Sequence, residues 1–277
     1  MIRDITIGQY YPAQSPIHKL DPRVKLFATL IYIIALFSYK GIAGVLFIVA
    51  TLAAVIKISK VPFKFMVKGL KSIIILLLFT ACFSVFFTQG EYTIWEYGIL
   101  HISETGLINA ATMMIRLVLL IIGTSLMTLT TTPNQLTDGL EKSLGFLNKI
   151  HVPVHAIAMM MSIALRFIPI LIEETDKIMK AQMARGADFE HGNIIKRAKS
   201  MVPLLVPLFV SAFRRADDLA MAMEARCYNG GAGRTKMKPL VYEKDDKIAY
   251  LFIFAFLAVV IVLRILLPVN LGNLIFR

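Results

Sequence analysis

Cysteine is nearly absent from this sequence: Cys82 lies in an apolar run and Cys227 in a basic polar stretch. Two such residues give no disulfide framework, and both are read as reduced thiols. The sequence also lacks a Gly-x-x-x-x-Gly-Lys-Ser/Thr loop for nucleotide phosphates. Its nearest glycine cluster, Gly230, Gly231 and Gly233, runs into Arg234 and Thr235 without that spacing, so the chain is not its own ATPase. No His-Glu-x-x-His pattern occurs. His151 and His155 stand four apart as zinc ligands on a helix can, but Pro153 lies between them. They are read as interfacial histidines, with no metal and no cofactor assigned. Met1 to Pro16 has no apolar core of a cleavable signal, so the first long hydrophobic run is expected to be a retained span.

What is abundant is apolar surface. Hydrophobic residues make up 57% of the 277 positions and the mean hydropathy is +0.70. Both values lie above those of an ordinary soluble domain and point to a bilayer. The 30 Lys and Arg against 18 Asp and Glu could serve nucleic acid, anionic headgroups or the positive-inside bias of a membrane protein. Their distribution selects the last and removes nucleic acid as a partner.

Apolar runs occur at Val24 to Tyr39, Ile42 to Ile56, Ser72 to Thr88, Ala110 to Thr130 and Ile248 to Leu267, each near the ~20 residues needed to cross a bilayer core. Basic residues alternate with them. Arg3, Lys19, Arg23 and Lys25 precede the first run, and Lys57, Lys60, Lys64, Lys68 and Lys71 follow the second, whereas Gln89 to Asn109 has acids and no Lys or Arg. Short basic connections stay in the cytoplasm. The expectation is therefore an all-α integral membrane protein of about five transmembrane helices with its N-terminus cytoplasmic. Arg116 then lies near the outer end of the fourth span and is read as snorkelling. Residues 1–130 form a four-span membrane part, 131–247 a cytoplasmic insert of amphipathic coupling helices between the fourth and fifth spans, and 248–277 the last span and an external C-terminus.

The insert holds helical patterns at Asn134 to Phe146, Pro153 to Arg185 and about Lys199 to Arg226. Pro133 and Pro153 suit first-turn positions, and Pro169, Pro203 and Pro207 should kink their helices. If Val152 to Ile172 crossed alone, Glu173 to Lys247 would carry 14 Lys and Arg outside, against the charge bias. Two long helices along the cytoplasmic boundary fit better, apolar at their beginnings and charged at their ends. Their ends repeat Ala-x-x-Ala-Arg-small at an offset of 41: Ala181 to Gly186 and Ala222 to Cys227. Arg followed by Gly is an ordinary helix stop. Its recurrence at the ends of two such helices instead suggests a pair of guanidinium forks aimed at partner carboxylates or carbonyls. The methionine-rich apolar beginnings, with Met160, Met161, Leu205 and Phe209, suit either repacking against partners or filling between the two helices.

These residues resemble a known family, the transmembrane T component of energy-coupling factor transporters, which are ABC importers of the prokaryotic cell membrane. Ser15 to Arg23 is similar to the family's entry before its first span. Leu165 to Pro169 with the Ala-Gln-x-Ala-Arg-Gly stretch at 181–186 resembles its first coupling signature, and Arg215, Ala216, Asp217 with Ala222 to Arg226 resembles the second. The resemblance implies two cytoplasmic ABC ATPase partners engaged by Ala184, Arg185, Gly186, Ala225, Arg226 and Cys227. It also implies a membrane substrate-binding S component, here expected to contact Met160, Met161, Leu205 and Phe209, and uptake of a vitamin or micronutrient. Cys227 departs from the family's Gly. The competing reading is a membrane-embedded hydrolase or protease built on Glu173, Glu174 and His155.

Overall fold

A computed structural model describes residues 10–39, 41–87, 93–97, 100–189, 193–230, 237 and 239–266. Its helices fall into two compact units, one from Gly8–Gly139 with Leu240–Arg277 and one containing Leu140–Pro239. The first holds a short α1 (Pro16–Lys19), then α2 (Pro22–Ser38), α3 (Ile42–Ser59), α4 (Phe63–Phe87), α5 (Glu104–Thr130) and α9 (Lys244–Leu266). Between α4 and α5 lie two short antiparallel strands, β1 (Thr93–Tyr97) and β2 (Leu100–Ser103), with an irregular register between Thr93 and Trp95. The expected all-α class thus holds apart from this hairpin. It falls in the stretch read only as a loop, where β-formers such as Thr93, Ile94, Trp95 and Tyr97 cluster around Gly98.

Pro in the first turn starts α1 and α2, with Ser15 and Asp21 capping the free amides. The five long helices of this unit alternate in direction. Lys25 near the start of α2 meets the end of α5, donating from Nζ to Thr130 O at 2.9 Å. Gly69 early in α4 faces Ser125 late in α5, and Gly106 early in α5 lies beside Ser84 and Val85 late in α4. α9 runs with α2: Asp246 Oδ1 accepts from Asp21 N at 2.8 Å at one end, and Arg264 Nη1 donates to Ser38 Oγ at 3.2 Å at the other. Phe47 of α3 stacks on Phe256 of α9. The core gathers Ala35, Leu36, Ile48, Met66, Leu119 and Val260. Where α2 packs on α5, Tyr32 Oη donates to Leu119 O at 2.7 Å, and a β-carbon at Gly123 would collide with the Tyr32 ring.

Among the described residues, three helical stretches are long and apolar enough to cross a membrane by length and composition: Gly106–Thr130, Val154–Ala184 and Lys244–Leu266. The bent stretches Phe63–Lys71 and Ile73–Phe86 make a fourth if they act as one span, and Ala43–Ser59 is a shorter apolar helix. Length and composition thus give three or four crossings among the described residues where five were expected. α2 and α3 cover 17 and 18 residues, below the ~20 of a full span. Val154–Ala184, expected to lie along the cytoplasmic boundary, is apolar enough to cross because Arg166 is the one Asp, Glu, Lys or Arg before Glu173, leaving a long apolar stretch at its start.

The end of the bundle where α2 begins is a polar knot. Asp246 is buried and accepts from two amides, Asp21 N through Oδ1 and Glu243 N through Oδ2, each at 2.8 Å. It thereby caps its own helix and ties the start of α2 to it. Asp21 in turn takes Arg23 through both oxygens, at 3.0 and 2.7 Å, and Arg23 lies 3.8 Å over the Tyr242 ring. Lys25 is buried, with Nζ held by His18 O and Thr130 O. A residue counted from sequence as a loop charge is thus a structural tie on the open carbonyl end of α5. His18 bridges Ser15 Oγ and Tyr11 O. Burial, with the Lys25 ammonium nearby, holds its pKa below the usual histidine value despite the opposing Tyr11 bond.

Candidate functional site

The second unit carries the repeated motif on two long helices, α7 (Val154–Ala184) and α8 (Ile194–Ala225). They follow α6 (Pro133–Ser143) and a 3-10 turn over Gly145–Ile150. Pro133 opens α6 as expected, whereas Pro153 sits one position outside α7 as its N-cap. Pro169, Pro203 and Pro207 all lie within continuous helices. α8 begins at Ile194, earlier than the periodicity indicates, because the basic first turn from Lys196 to Lys199 hides the apolar pattern.

The two helix ends are built alike to the atom. In α7 the Gly186 amide bonds to Met183 O at 2.9 Å and the Ala187 amide to Gln182 O at 3.0 Å, with Gly186 at φ +90°. In α8 the Cys227 amide bonds to Glu224 O at 2.8 Å and the Tyr228 amide to Met223 O at 3.0 Å, with Cys227 at φ +56°. Each is a Schellman cap, in which the residue after the last helical one turns left-handed so that the chain can satisfy the open carbonyls. The motif spacing follows: Arg is the last residue of helical conformation and the small residue carries the turn. Cys227 carries at the end of α8 the left-handed turn that Gly186 carries at the end of α7, so the difference in residue type does not change the cap.

Ala184, Arg185, Gly186, Ala225, Arg226 and Cys227 are all exposed. Neither guanidinium has a hydrogen-bond or ion-pair partner among the described residues. Two free, fixed cations with five donors each suit an acceptor-lined socket on another molecule. Exposed apolar side chains line the earlier parts of both helices: Met160 at 58%, Phe209 at 61%, with Met161 and Leu205 also open. Such surface in a chain of this hydropathy marks a place for lipid or protein.

Between these two regions, Glu174 Oε2 accepts from Arg215 Nη2 at 3.1 Å, linking α7 to α8. From the sequence, Glu174 enters only the hydrolase alternative and Arg215 only the second coupling signature, with no contact expected between them. Their identical 41-residue offset was the signal available. His155 Nδ1 lies 3.0 Å from Glu141 Oε1. The protease constellation is not brought together: His155 and Glu173 are eighteen residues apart on one helix, about 27 Å along its axis, and Glu174 is engaged by Arg215. His151 ends the 3-10 turn, and no metal-binding group forms among the described residues.

A family model described as cobalt transport protein, CbiQ, matches residues 13–237. Among curated relatives, the energy-coupling factor transporter transmembrane protein EcfT of Clostridium kluyveri is 57% identical over 96% of this chain and 98% of its own. The proteins of the same description from Acidaminococcus fermentans and Bacillus subtilis are 48% and 46% identical, each over 95% of this chain and 98% and 100% of theirs.

Proposed function

We propose, because this chain belongs to the CbiQ family of transport proteins, that it is the membrane subunit that couples paired ATPases to a substrate-binding partner in an energy-coupling factor importer. The observation that carries the reading is the pair of matched Arg-tipped helix ends, free and identically capped. Closure of two ATPases on hydrolysis would draw Arg185 and Arg226 with it. α7 and α8 would pass the displacement to an S component seated on the apolar surface around Met160, Met161, Leu205 and Phe209. The chain itself performs no catalysis, and the substrate, a vitamin or micronutrient, is chosen by the S component.

The same reading takes α2, α3, α4, α5 and α9 as five spans with the N-terminus cytoplasmic, and 131–247 as a cytoplasmic insert. Parity supports it. The end of α5 and the start of α9 lie at the same end of the bundle, since Lys25 binds Thr130 O while Asp21 binds Asp246. The insert therefore crosses the membrane an even number of times. α8 is not among the helices apolar enough to cross, and crossing by both α7 and α8 would carry Lys180, Arg185, Lys196, Arg197 and Lys199 outward, against the charge bias. Both arguments support an insert that does not cross.

The testing experiment is ATPase co-purification. Arg185→Ala or Arg226→Ala alone should weaken transport, because the other contact still holds at high effective concentration. The double variant should lose the ATPases while remaining monodisperse in detergent. Full ATPase recovery with the double variant would reduce both arginines to helix stops. Cysteine labelling from outside cells tests the topology: with Cys82 and Cys227 replaced, a cysteine at Thr93 should react and one at Asn193 should not.

A further inference from the structure

Glu174 and Arg215 are 41 residues apart, the same offset that relates Arg185 to Arg226. The coincidence has a geometric meaning. When a local twofold axis relates two helices, equivalent residues are far apart except at the axis, where each meets its own equivalent. α7 and α8 run antiparallel: late in α7, Gln182 Nε2 donates to Pro203 O, early in α8, at 3.3 Å, while Glu174 meets Arg215. The ion pair therefore marks the crossing point. Each tip arginine stands eleven residues beyond it on its own helix, roughly 16 Å at ~1.5 Å per residue. The arms are equal in length and point opposite ways along the antiparallel pair.

The contact has the chemistry of a pivot. One guanidinium nitrogen reaches one carboxylate oxygen at 3.1 Å, and Arg215 Nε is enclosed with no acceptor among the described residues. A bidentate fork would fix the planes of both groups as well as their positions. A single-pronged bond fixes the point of contact and leaves the angle between the helices adjustable.

We propose that Glu174 and Arg215 are positioning residues that act as the fulcrum of α7 and α8, fixing the point about which the two helices turn and so keeping Arg185 and Arg226 on equal arms as they meet two sockets related by a twofold axis. The proposal rests on the reading that the tips engage paired ATPases. It adds that the partners must present equivalent sockets, and that the pair matters for transmission of movement rather than for attachment.

The test uses the full chain in two preparations. In the first, spin labels on Met183→Cys and Glu224→Cys, equivalent positions near the two tips, report the distance between them, with Cys82 and Cys227 replaced by Ser. In the second, the unlabelled chain is assembled with its ATPases and S component in vesicles and ATP-driven uptake is measured. Glu174→Gln and Arg215→Gln should each broaden the distance distribution and lower uptake roughly two- to fivefold, the scale of a partly exposed pair, with ATPase co-purification intact. The exchange Glu174→Arg with Arg215→Glu should narrow the distribution again and restore uptake. Single variants with parental distances, parental uptake or lost ATPases would overturn the fulcrum, and so would an exchange that restores nothing. The tip double variant Arg185→Ala with Arg226→Ala separates the two claims. If it keeps its ATPases the functional reading fails, while the distance measurement still judges the fulcrum.

Discussion

Replacing Cys227 by Gly should strengthen the end of α8. The residue sits at φ +56°, where an L side chain costs about 1–2 kcal/mol. Its side chain is exposed, so removing it sacrifices little packing. Against the relief stands the greater freedom of Gly in the unfolded chain, worth about 0.5–1 kcal/mol. The net gain is about 0.5–1 kcal/mol, or roughly two- to fivefold in the local opening equilibrium. Hydrogen exchange on peptides covering 219–230 of the full chain in detergent reads this directly, through the amides of Cys227 and Tyr228 that close the cap. Cys227→Ala keeps the left-handed cost and loses the thiol, and should exchange like the parent. Gly186→Ala forces a β-carbon onto φ +90°, beyond the usual left-handed region, and should raise exchange at the end of α7. Slower exchange in Cys227→Ala as well, or none in Cys227→Gly, would refute the idea that backbone handedness governs this tip.

Asp246→Ala should lower the detergent melting temperature and cost about 2–3 kcal/mol, since it strands the buried amide of Asp21 and uncaps α9. An unchanged melt would mean that the knot is ornamental. Gly123→Val should cost at least as much, because the Tyr32 ring it strikes is anchored by its bond to Leu119 O; Tyr32→Ala in the same chain should recover part of the loss. On the proposed function, Met160→Asp with Leu205→Asp should release the S component and leave the ATPases bound, as judged by co-purification. Burial lowers the His18 pKa below 6.5, so the unfolded chain binds the extra proton first as the pH falls. Stability should be level above neutrality and decline below about pH 6.5, and His18→Gln should flatten that slope in melts recorded across the range.

Helices α2, α3, α4, α5 and α9 were legible because each contains an apolar run bounded by local signals, although the basic first turns of α4, with Lys64, Lys68 and Lys71, read as a connection rather than as helix. The tips of α7 and α8 were legible because the cap is also local, three or four residues setting both the arginine and the turn after it. What escaped was pairwise. Nothing near Asp246 announces that it will bond to an amide 225 residues earlier, and nothing near Lys25 distinguishes a buried tie to Thr130 from a topological charge. The pivot between Glu174 and Arg215 was written in the repeat, yet an offset alone does not say whether equivalent residues touch. The short hairpin before α5 was missed because charge, rather than β-propensity, was read there.

The knot at the start of α2 also dictates an order of assembly. Asp21 is made early, and its buried amide has no permanent acceptor until Asp246 follows 225 residues later. At a synthesis rate of ~5–20 residues per second that interval is roughly 10–45 s. α2 to α5 must wait through it as an open set of helices, while the whole of Leu140–Pro239 emerges. A nascent chain halted before α9 would carry both long helices with their arginine tips complete on a bundle not yet locked. Closure by the last helix is thus the step that separates a bundle with its Asp21 amide satisfied from an open one in which both arginine-ended helices are already made.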